Sequence, residues 1–285
     1  MSAKPILVTG ANGTVGRELV RVLAEAGAEV RAGLHRTDDF GPLLAGASSI
    51  ILDFDSPATL ASACRGVGAV YLLTPQVPSA TEYVRAIVEA ARAEGVERVV
   101  RQSMHDAPHG SDTLSRWHRE AEEVVVSSEL GCTILRPNAF MDNFATLYAA
   151  LIREQGFFRM PLGRARLSSV DTRDVAAAAA SVLLDGGHDG ATYVLTGPEA
   201  LTGEEMAASL TAVIGRPIRY VDEPEDAGRP PRDTDSIAIS VALVELGAEM
   251  RAGKLAAVSG DVARLTGRPA SGFVRFASDH RAAWI

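Results

Sequence analysis

A strand, a glycine-spaced turn and a helix at the extreme N-terminus constrain this chain more than any other feature of its sequence. Ile6-Leu-Val-Thr9 reads as a short buried strand, and Gly10-Ala-Asn-Gly13-Thr-Val-Gly16 follows at once. Arg17 to Ala26 then carries Leu19, Val20 and Leu23 at helical spacing before Gly27 stops the run. A helix starting at the carboxyl end of a strand aims its unpaired N–H groups and the positive end of its dipole at the turn, which makes the turn an anion site. Gly10 permits the tight turn, Gly13 removes a side chain where backbone must meet phosphates, and Gly16 lets the helix pack closely on the sheet. With Asn12, Thr14 and Val15 they form the expected cradle of a dinucleotide pyrophosphate. The spacing is G-x-x-G-x-x-G rather than the commoner G-x-G-x-x-G.

The end of the second strand reports on the ribose. NAD-binding chains place Asp or Glu there for the 2′-hydroxyl, whereas NADP-binding chains place Arg for the 2′-phosphate. Glu29 to Leu34 is followed by His35-Arg36, and no acid occurs before Asp38. Arg36 with His35 alongside therefore predicts NADP(H) as the cofactor.

The rest of the first half alternates β-branched runs with helical segments, the pattern of a parallel sheet wound on both faces. Strands are expected at Ser49–Leu52, Ala69–Leu73, Glu97–Arg101 and Cys132–Arg136, with helices at Ser56–Arg65, Thr81–Glu94 and Leu114–Glu129 between them. Past Pro137 the rhythm changes. Asn138–Gln155 reads as irregular helix, Gly156–Ala165 as loop, Arg166–Val170 as strand, and Asp171 as the cap of an Ala-rich helix to Leu184. Tyr193–Thr196 reads as strand, and Thr202-Gly-Glu-Glu205 as a capping box opening a helix that ends at Gly215. Arg219–Val221 is strand-like, and the remainder from Ser236 reads as broken helices. The fold class expected is α/β, a Rossmann doubly wound parallel sheet with a smaller C-terminal α/β lobe over the cofactor cleft. Residues 1–137 are the expected NADP-binding core and 138–285 mostly the substrate-binding lobe. Residues near 166–196 return to the core, so the chain is effectively one domain.

Composition narrows the function classes. A net charge of −8 argues against an extended nucleic-acid surface, which needs Lys and Arg to neutralise phosphates. Two cysteines without metal-like neighbours point to neither a disulfide framework nor a metal site. No apolar run approaches the length of a membrane span, and Met1-Ser-Ala-Lys-Pro5 lacks the character of a signal peptide. A cytoplasmic protein acting on a small molecule, as monomer or homodimer, is the expectation.

Several motifs together resemble the NmrA-like branch of the atypical short-chain dehydrogenases, over essentially the whole chain. They are Thr9 to Gly16, Asp53-Phe-Asp55, Leu135-Arg-Pro-Asn-Ala-Phe-Met-Asp-Asn143, Val170-Asp-Thr-Arg-Asp-Val-Ala176, Tyr193 to Leu201 and Leu265-Thr-Gly-Arg-Pro269. That branch includes quinone oxidoreductase-like proteins and NADP-sensing regulators. The resemblance implies that Asp53 and Phe54 lie against the adenine, and that Leu73, Thr74 and Gln76 line the cofactor. It also implies that Ser103, Pro137 and Asn138 approach the nicotinamide.

Ordinary short-chain dehydrogenases carry Tyr-x-x-x-Lys on the helix after the fifth strand. Here the corresponding pair is His118 and Glu122 in Trp117-His-Arg-Glu-Ala-Glu122. A ketone needs a proton as its oxygen becomes an alkoxide, whereas a quinone, iminium or conjugated carbonyl accepts hydride with far less help. An NADPH-dependent reductase of such an electrophilic acceptor is therefore the expected function, with two alternatives: a cofactor sensor without turnover, or an isomerase or cyclase using the cofactor as scaffold. His118 and Ser103 are the candidate catalytic residues. For His118 two readings stand, a proton donor of ordinary pKa or a solvated helix pair with Glu122. Met104, His105, Trp117, Phe140, Asn143, Phe144 and Met160 are the candidate walls for a flat, apolar substrate, with core packing the competing reading for the aromatic ones.

Overall fold

A computed structural model of the chain describes residues 4–35, 47–223 and 234–285. The strands are β1 (Ile6–Val8), β2 (Val30–Leu34), β3 (Ala47–Ile51), β4 (Ala69–Leu72), β5 (Arg98–Gln102), β6 (Gly131–Pro137), β7 (Phe157–Met160), β8 (Thr192–Leu195) and β9 (Arg219–Asp222). Seven of them form one parallel sheet in the order β3-β2-β1-β4-β5-β6-β8. Strand order reverses between β1 and β4, and the crevice at the carboxyl ends there is where doubly wound sheets bind ligands.

The helices are α1 (Thr14–Glu25), α2 (Pro57–Cys64), α3 (Ala80–Ala93), α4 (Thr113–Val126), α5 (Asp142–Ala145), α6 (Ala149–Gln155), α7 (Thr172–Leu184), α8 (Gly203–Ile214), α9 (Thr234–Arg251), α10 (Asp261–Thr266) and α11 (Phe273–Asp279). Alternation along each strand feeds two layers. Ile6 and Val8 of β1 face α1 and α7, while Leu7 faces α2, α3 and α4. The Ala-rich stretch of α7 is explained by its partner: Ala176, Ala178, Ala179 and Ala180 are buried where α7 runs beside α1, and small side chains let the two backbones approach.

A second core lies beyond the sheet. Phe144 makes edge contacts with Phe158 and Phe273, Trp284 is fully buried, and Trp284 Nε1 donates to the Phe144 carbonyl at 2.8 Å. Met160, Met206, Leu210 and Phe276 complete this cluster. The returning C-terminal segment is fastened to α7 by Asp174, which accepts from the Ser271 N–H at 2.6 Å and pairs with Arg268 at 2.7 Å.

Four local expectations need correction. The segment 156–165 is not wholly loop, because Phe157–Met160 pairs in parallel with β9, a partner sixty residues away. Residues 166–170 make only isolated bridges, Leu167 to Leu201 and Phe140 to Val170. The first helix starts at Thr14, directly after Gly13, and residues 138–155 divide into α5 and α6. The capping box at Thr202 and Glu205 and the Asp171 cap form as expected. Among the described residues no helix is long and apolar enough to cross a membrane.

Candidate functional site

The glycine turn is built from the strand outward. Gly10 takes φ +62°, the left-handed region that glycine tolerates, and its carbonyl accepts from Gly13 N at 2.9 Å. A Cβ on Gly16 would stand 2.1 Å from the Gly10 carbonyl oxygen and 2.9 Å from Ala11 Cα. The close packing at Gly16 is therefore of the helix on its own turn, where sequence reasoning placed the sheet. Thr9, buried at the end of β1, donates its hydroxyl to the Leu73 carbonyl at 2.7 Å and accepts from Leu73 N at 2.8 Å. That two-way clasp fixes the turn against the loop after β4, and Thr9 is a site residue the spacing of glycines did not reveal.

Asn12 and Thr14 are exposed on the turn, Val15 is buried beneath it, and His35 is exposed at the end of β2. Arg36 lies outside the described residues. After β3, Asp53 accepts from Asp55 N at 3.0 Å and so shapes its own turn. Phe54 stacks on Tyr83 of α3 with ring centroids 5.2 Å apart, and Tyr83 donates to Asp55. Tyr83 backs the expected adenine wall and was missed because α3 reads only as a generic amphipathic helix. Beyond β4, Leu73 approaches Gly10, Thr74 is buried and Gln76 is exposed.

The ends of β5 and β6 meet at the same crevice. Ser103 N donates to the Leu135 carbonyl at 2.7 Å and His105 N to the Pro137 carbonyl at 2.9 Å. Ser103 Oγ and His105 Nδ1 are buried without a hydrogen-bond partner among the described residues, as expected of groups aimed at a ligand. Burial, with a smaller contribution from Arg136, holds the His105 pKa below its ordinary value. Met104 and Trp117 are half-buried on either side of this region.

Both readings of His118 need correction. Its ring is 8% exposed, and burial, with Arg101 adding to it, pushes its pKa down to about 3. It is therefore neutral at physiological pH and does not act as an imidazolium donor. Nor does it pair with Glu122, whose carboxylate binds Arg136 of β6 in two contacts of 2.9 and 2.5 Å. The signal was present in the sequence: Leu114, His118, Ala121, Glu122 and Val125 share one helical face, and that face is buried.

Three further expectations change. Asn138 spends its side chain on a structural clasp, donating to Ser168 Oγ at 2.8 Å and to the Leu255 carbonyl at 2.9 Å while accepting from Ala139 N. Phe144 and Met160 are core residues of the second lobe, 1% and 4% exposed, so they shape the lobe rather than line a cleft. Phe140 and Asn143 remain half-buried beside them. Among the described residues no group of His, Cys, Asp or Glu could hold a metal ion.

The NmrA-like family model matches residues 2–238. The chain is 38% identical over 285 residues to an NAD(P)H azoreductase of Xenophilus azovorans, covering 98% of this chain and 99% of that one. It is 37% identical over 288 residues to a (4-alkanoyl-5-oxo-2,5-dihydrofuran-3-yl)methyl phosphate reductase of Streptomyces griseus, with 98% and 99% coverage. Among solved structures it superposes with a TM-score of 0.83 and 27% identity on an Escherichia coli NADPH-dependent quinone oxidoreductase complexed with NADPH, covering 96% of this chain and 99% of the other.

Proposed function

The chain belongs to the NmrA-like family, and from that premise we propose that it is an NADPH-dependent reductase of a small, flat, electrophilic acceptor such as a quinone, iminium or conjugated carbonyl. The observation that carries the acceptor class is the state of α4. Where a ketone reductase needs a proton donor, this helix presents a neutral His118 and a Glu122 held by Arg136. His118 is no imidazolium donor and the Glu122 carboxylate is engaged by Arg136, so the acceptor is one whose product charge is delocalised or already neutralised. The azo, quinone and oxo-dihydrofuran acceptors named for the relatives are of this electron-poor kind.

The residues fit NADP(H). Gly10, Asn12, Gly13, Thr14, Val15 and Gly16 hold the pyrophosphate on the start of α1, where a helix N-terminus and small side chains admit it. His35 and Arg36 take the 2′-phosphate, and Asp53 and Phe54 the adenine side. Leu73, Thr74, Gln76 and Pro137 border the cofactor along the strand ends. Bound there, NADPH supplies the hydride. Ser103 places an unpartnered hydroxyl at the crevice, suited to orient the carboxamide or the acceptor, while Met104, His105, Trp117, Phe140 and Asn143 close the sides and exclude water.

NADPH oxidation measured with azo dyes, quinones, iminium ions, unsaturated lactones and simple ketones tests the reading. Turnover with the electrophilic acceptors and none with ketones is expected. Preference for ketones would overturn the acceptor class, and tight NADPH binding without turnover of any acceptor would replace the enzyme by a cofactor sensor.

A further inference from the structure

The loop from β5 to α4 carries Ser103, Met104 and His105 at one end and opens α4, with Trp117, at the other. Its own bonds tie it to the sheet and to itself. Ser103 N and His105 N donate to β6, and the Asp106 carbonyl accepts from His109 N and Gly110 N. A helix from the far end of the chain reaches across to it. Glu245 of α9 accepts from Thr113 N at 2.7 Å, and Glu249, one turn later on the same face, accepts from Ser111 Oγ at 2.8 Å. Thr113 is the first residue of α4, so Glu245 satisfies one of the N–H groups that a helix leaves unpaired and sets negative charge at the positive end of its dipole. Asp112 does the same from within the loop, accepting from Ser115 N at 2.9 Å.

Other sides of α9 are fixed to the second lobe. Leu246 and Met250 pack into its core, and Arg251 meets Asp222 of β9 in two contacts of 2.8 and 2.9 Å. Just beyond the helix, the Leu255 carbonyl accepts from Asn138 Nδ2 and Ser168 N. The helix thus spans from the lobe to the loop, and the junction is costly. Asp106 is 6% exposed, and its Oδ2 has no partner among the described residues. Burial first, then Glu249 and Asp112, hold its carboxyl above the ordinary value, with Lys254 and His109 acting in the opposite sense. A loop placed by its own preferences would turn that carboxylate to water. Keeping it buried near Glu249 costs stability, and such a cost is kept where the position of the chain matters.

We propose that α9 is a positioning strap for the acceptor site: Glu245 and Glu249 hold the β5–α4 loop, and with it Ser103, Met104 and His105, in register with the second lobe. The strap rests on the acceptor site assigned above. Both glutamates are positioning residues, acting through Thr113 and Ser111.

Hydrogen exchange and steady-state kinetics on the full chain test it. Glu245→Ala is expected to speed exchange over residues 103–113 while β1, β4 and the glycine turn keep wild-type rates. Its kcat/KM for a quinone is expected to fall about tenfold or more, with the Kd of NADPH within about twofold of wild type, since a misplaced positioning element costs up to about a hundredfold. Ser111→Ala is expected to show the same pattern more weakly. Glu245→Gln keeps an oxygen for Thr113 N at the same length and is expected to restore most of both readouts. A lower melting temperature with unchanged acceptor kinetics in the folded enzyme would overturn the proposal. Wild-type exchange over residues 103–113 in the alanine variants would also overturn it, and Ser111, being exposed, gives that answer even where Glu245→Ala fails to fold. Exchange needs no turnover. A wild type that reduces no acceptor removes the acceptor-site reading, while the exchange result still decides whether α9 holds the loop.

Discussion

Replacing Gly16 with alanine tests the glycine turn where its geometry is tightest. The added Cβ would sit 2.1 Å from the Gly10 oxygen, about 0.9 Å inside the 3.0 Å that real contacts reach, and 2.8 Å from the Gly10 carbonyl carbon. All three obstructing atoms are backbone, so no side chain can swing aside. The helix is held by Val15, Leu19, Val20 and Leu23 in the core, and the strand end by the Thr9–Leu73 clasp, so the turn itself must move. Overpacking of this kind costs about 1–3 kcal/mol. For a chain of this size that is roughly 2–6 °C of melting temperature. Cofactor binding should suffer more. A shift near 1 Å takes backbone N–H groups out of hydrogen-bond range of a phosphate, and losing one such charge-assisted bond costs about 1.5–3 kcal/mol, a tenfold to hundredfold rise in Kd. Fluorescence titration with NADPH, beside thermal unfolding, separates the two effects. Gly27→Ala is the control, since Gly27 has φ +80° with nothing within 4 Å of a new Cβ, and strain of about 1–2 kcal/mol should lower stability alone. Gly16→Ala binding NADPH as tightly as wild type, or Gly27→Ala losing as much affinity, would refute the reasoning.

His118 gives a pH prediction. The unfolded chain binds its proton near the ordinary 6.5 and the folded chain only near 3, so its stabilising effect is complete above neutrality and lost as pH falls through that window. The loss approaches about 1.4 kcal/mol per pH unit at its steepest, and His118→Gln should flatten the acid limb in urea titrations. The same variant should leave the pH profile of kcat unchanged between pH 6 and 8, about where an ordinary histidine titrates, and a limb there that vanishes on substitution would contradict the neutral assignment. Glu122→Ala should cost about 3–5 kcal/mol by stranding Arg136, with Glu122→Gln costing less, and a urea midpoint for the alanine variant close to wild type would contradict the ion pair. Asp174→Ala should destabilise by about 2–4 kcal/mol and expose the C-terminal segment to protease, because a fully buried carboxylate there serves both Ser271 N and Arg268.

What was legible in the sequence was local. The turn between β1 and α1 depends on residues 9 to 16 and on the strand and helix beside them, so spacing alone located it and the anion-binding character followed. The caps at Asp171 and Thr202 are equally short-range and appear where the residue types placed them. The pair β7 and β9 was half missed for the opposite reason. Phe157-Phe-Arg-Met160 is too short to announce a strand, and its partner at Arg219–Asp222 is known only once the chain has returned. Tertiary packing likewise took Phe144 and Met160 out of the substrate wall, since an apolar residue near a cleft and one in the adjoining core look alike in sequence.

The polar residues of α4 and β5 show a different limit. His118 and Glu122 were weighed by side-chain chemistry, which assigns polar groups to solvent or to catalysis. Periodicity says otherwise, because both fall on the stripe of Leu114, Ala121 and Val125. Where residue type and period disagree, burial of the period comes first and the polar group must then find a partner inside. Glu122 finds one in Arg136, and each neutralises the other. His118 meets burial by losing its proton. Arg101 on the facing strand has only part of either remedy: guanidinium does not give up its proton at neutral pH, and among the described residues its hydrogen bonds go to the Leu72 carbonyl and Thr74 rather than to a carboxylate. The burial of Arg101 could not have been read from a lone arginine in a predicted strand.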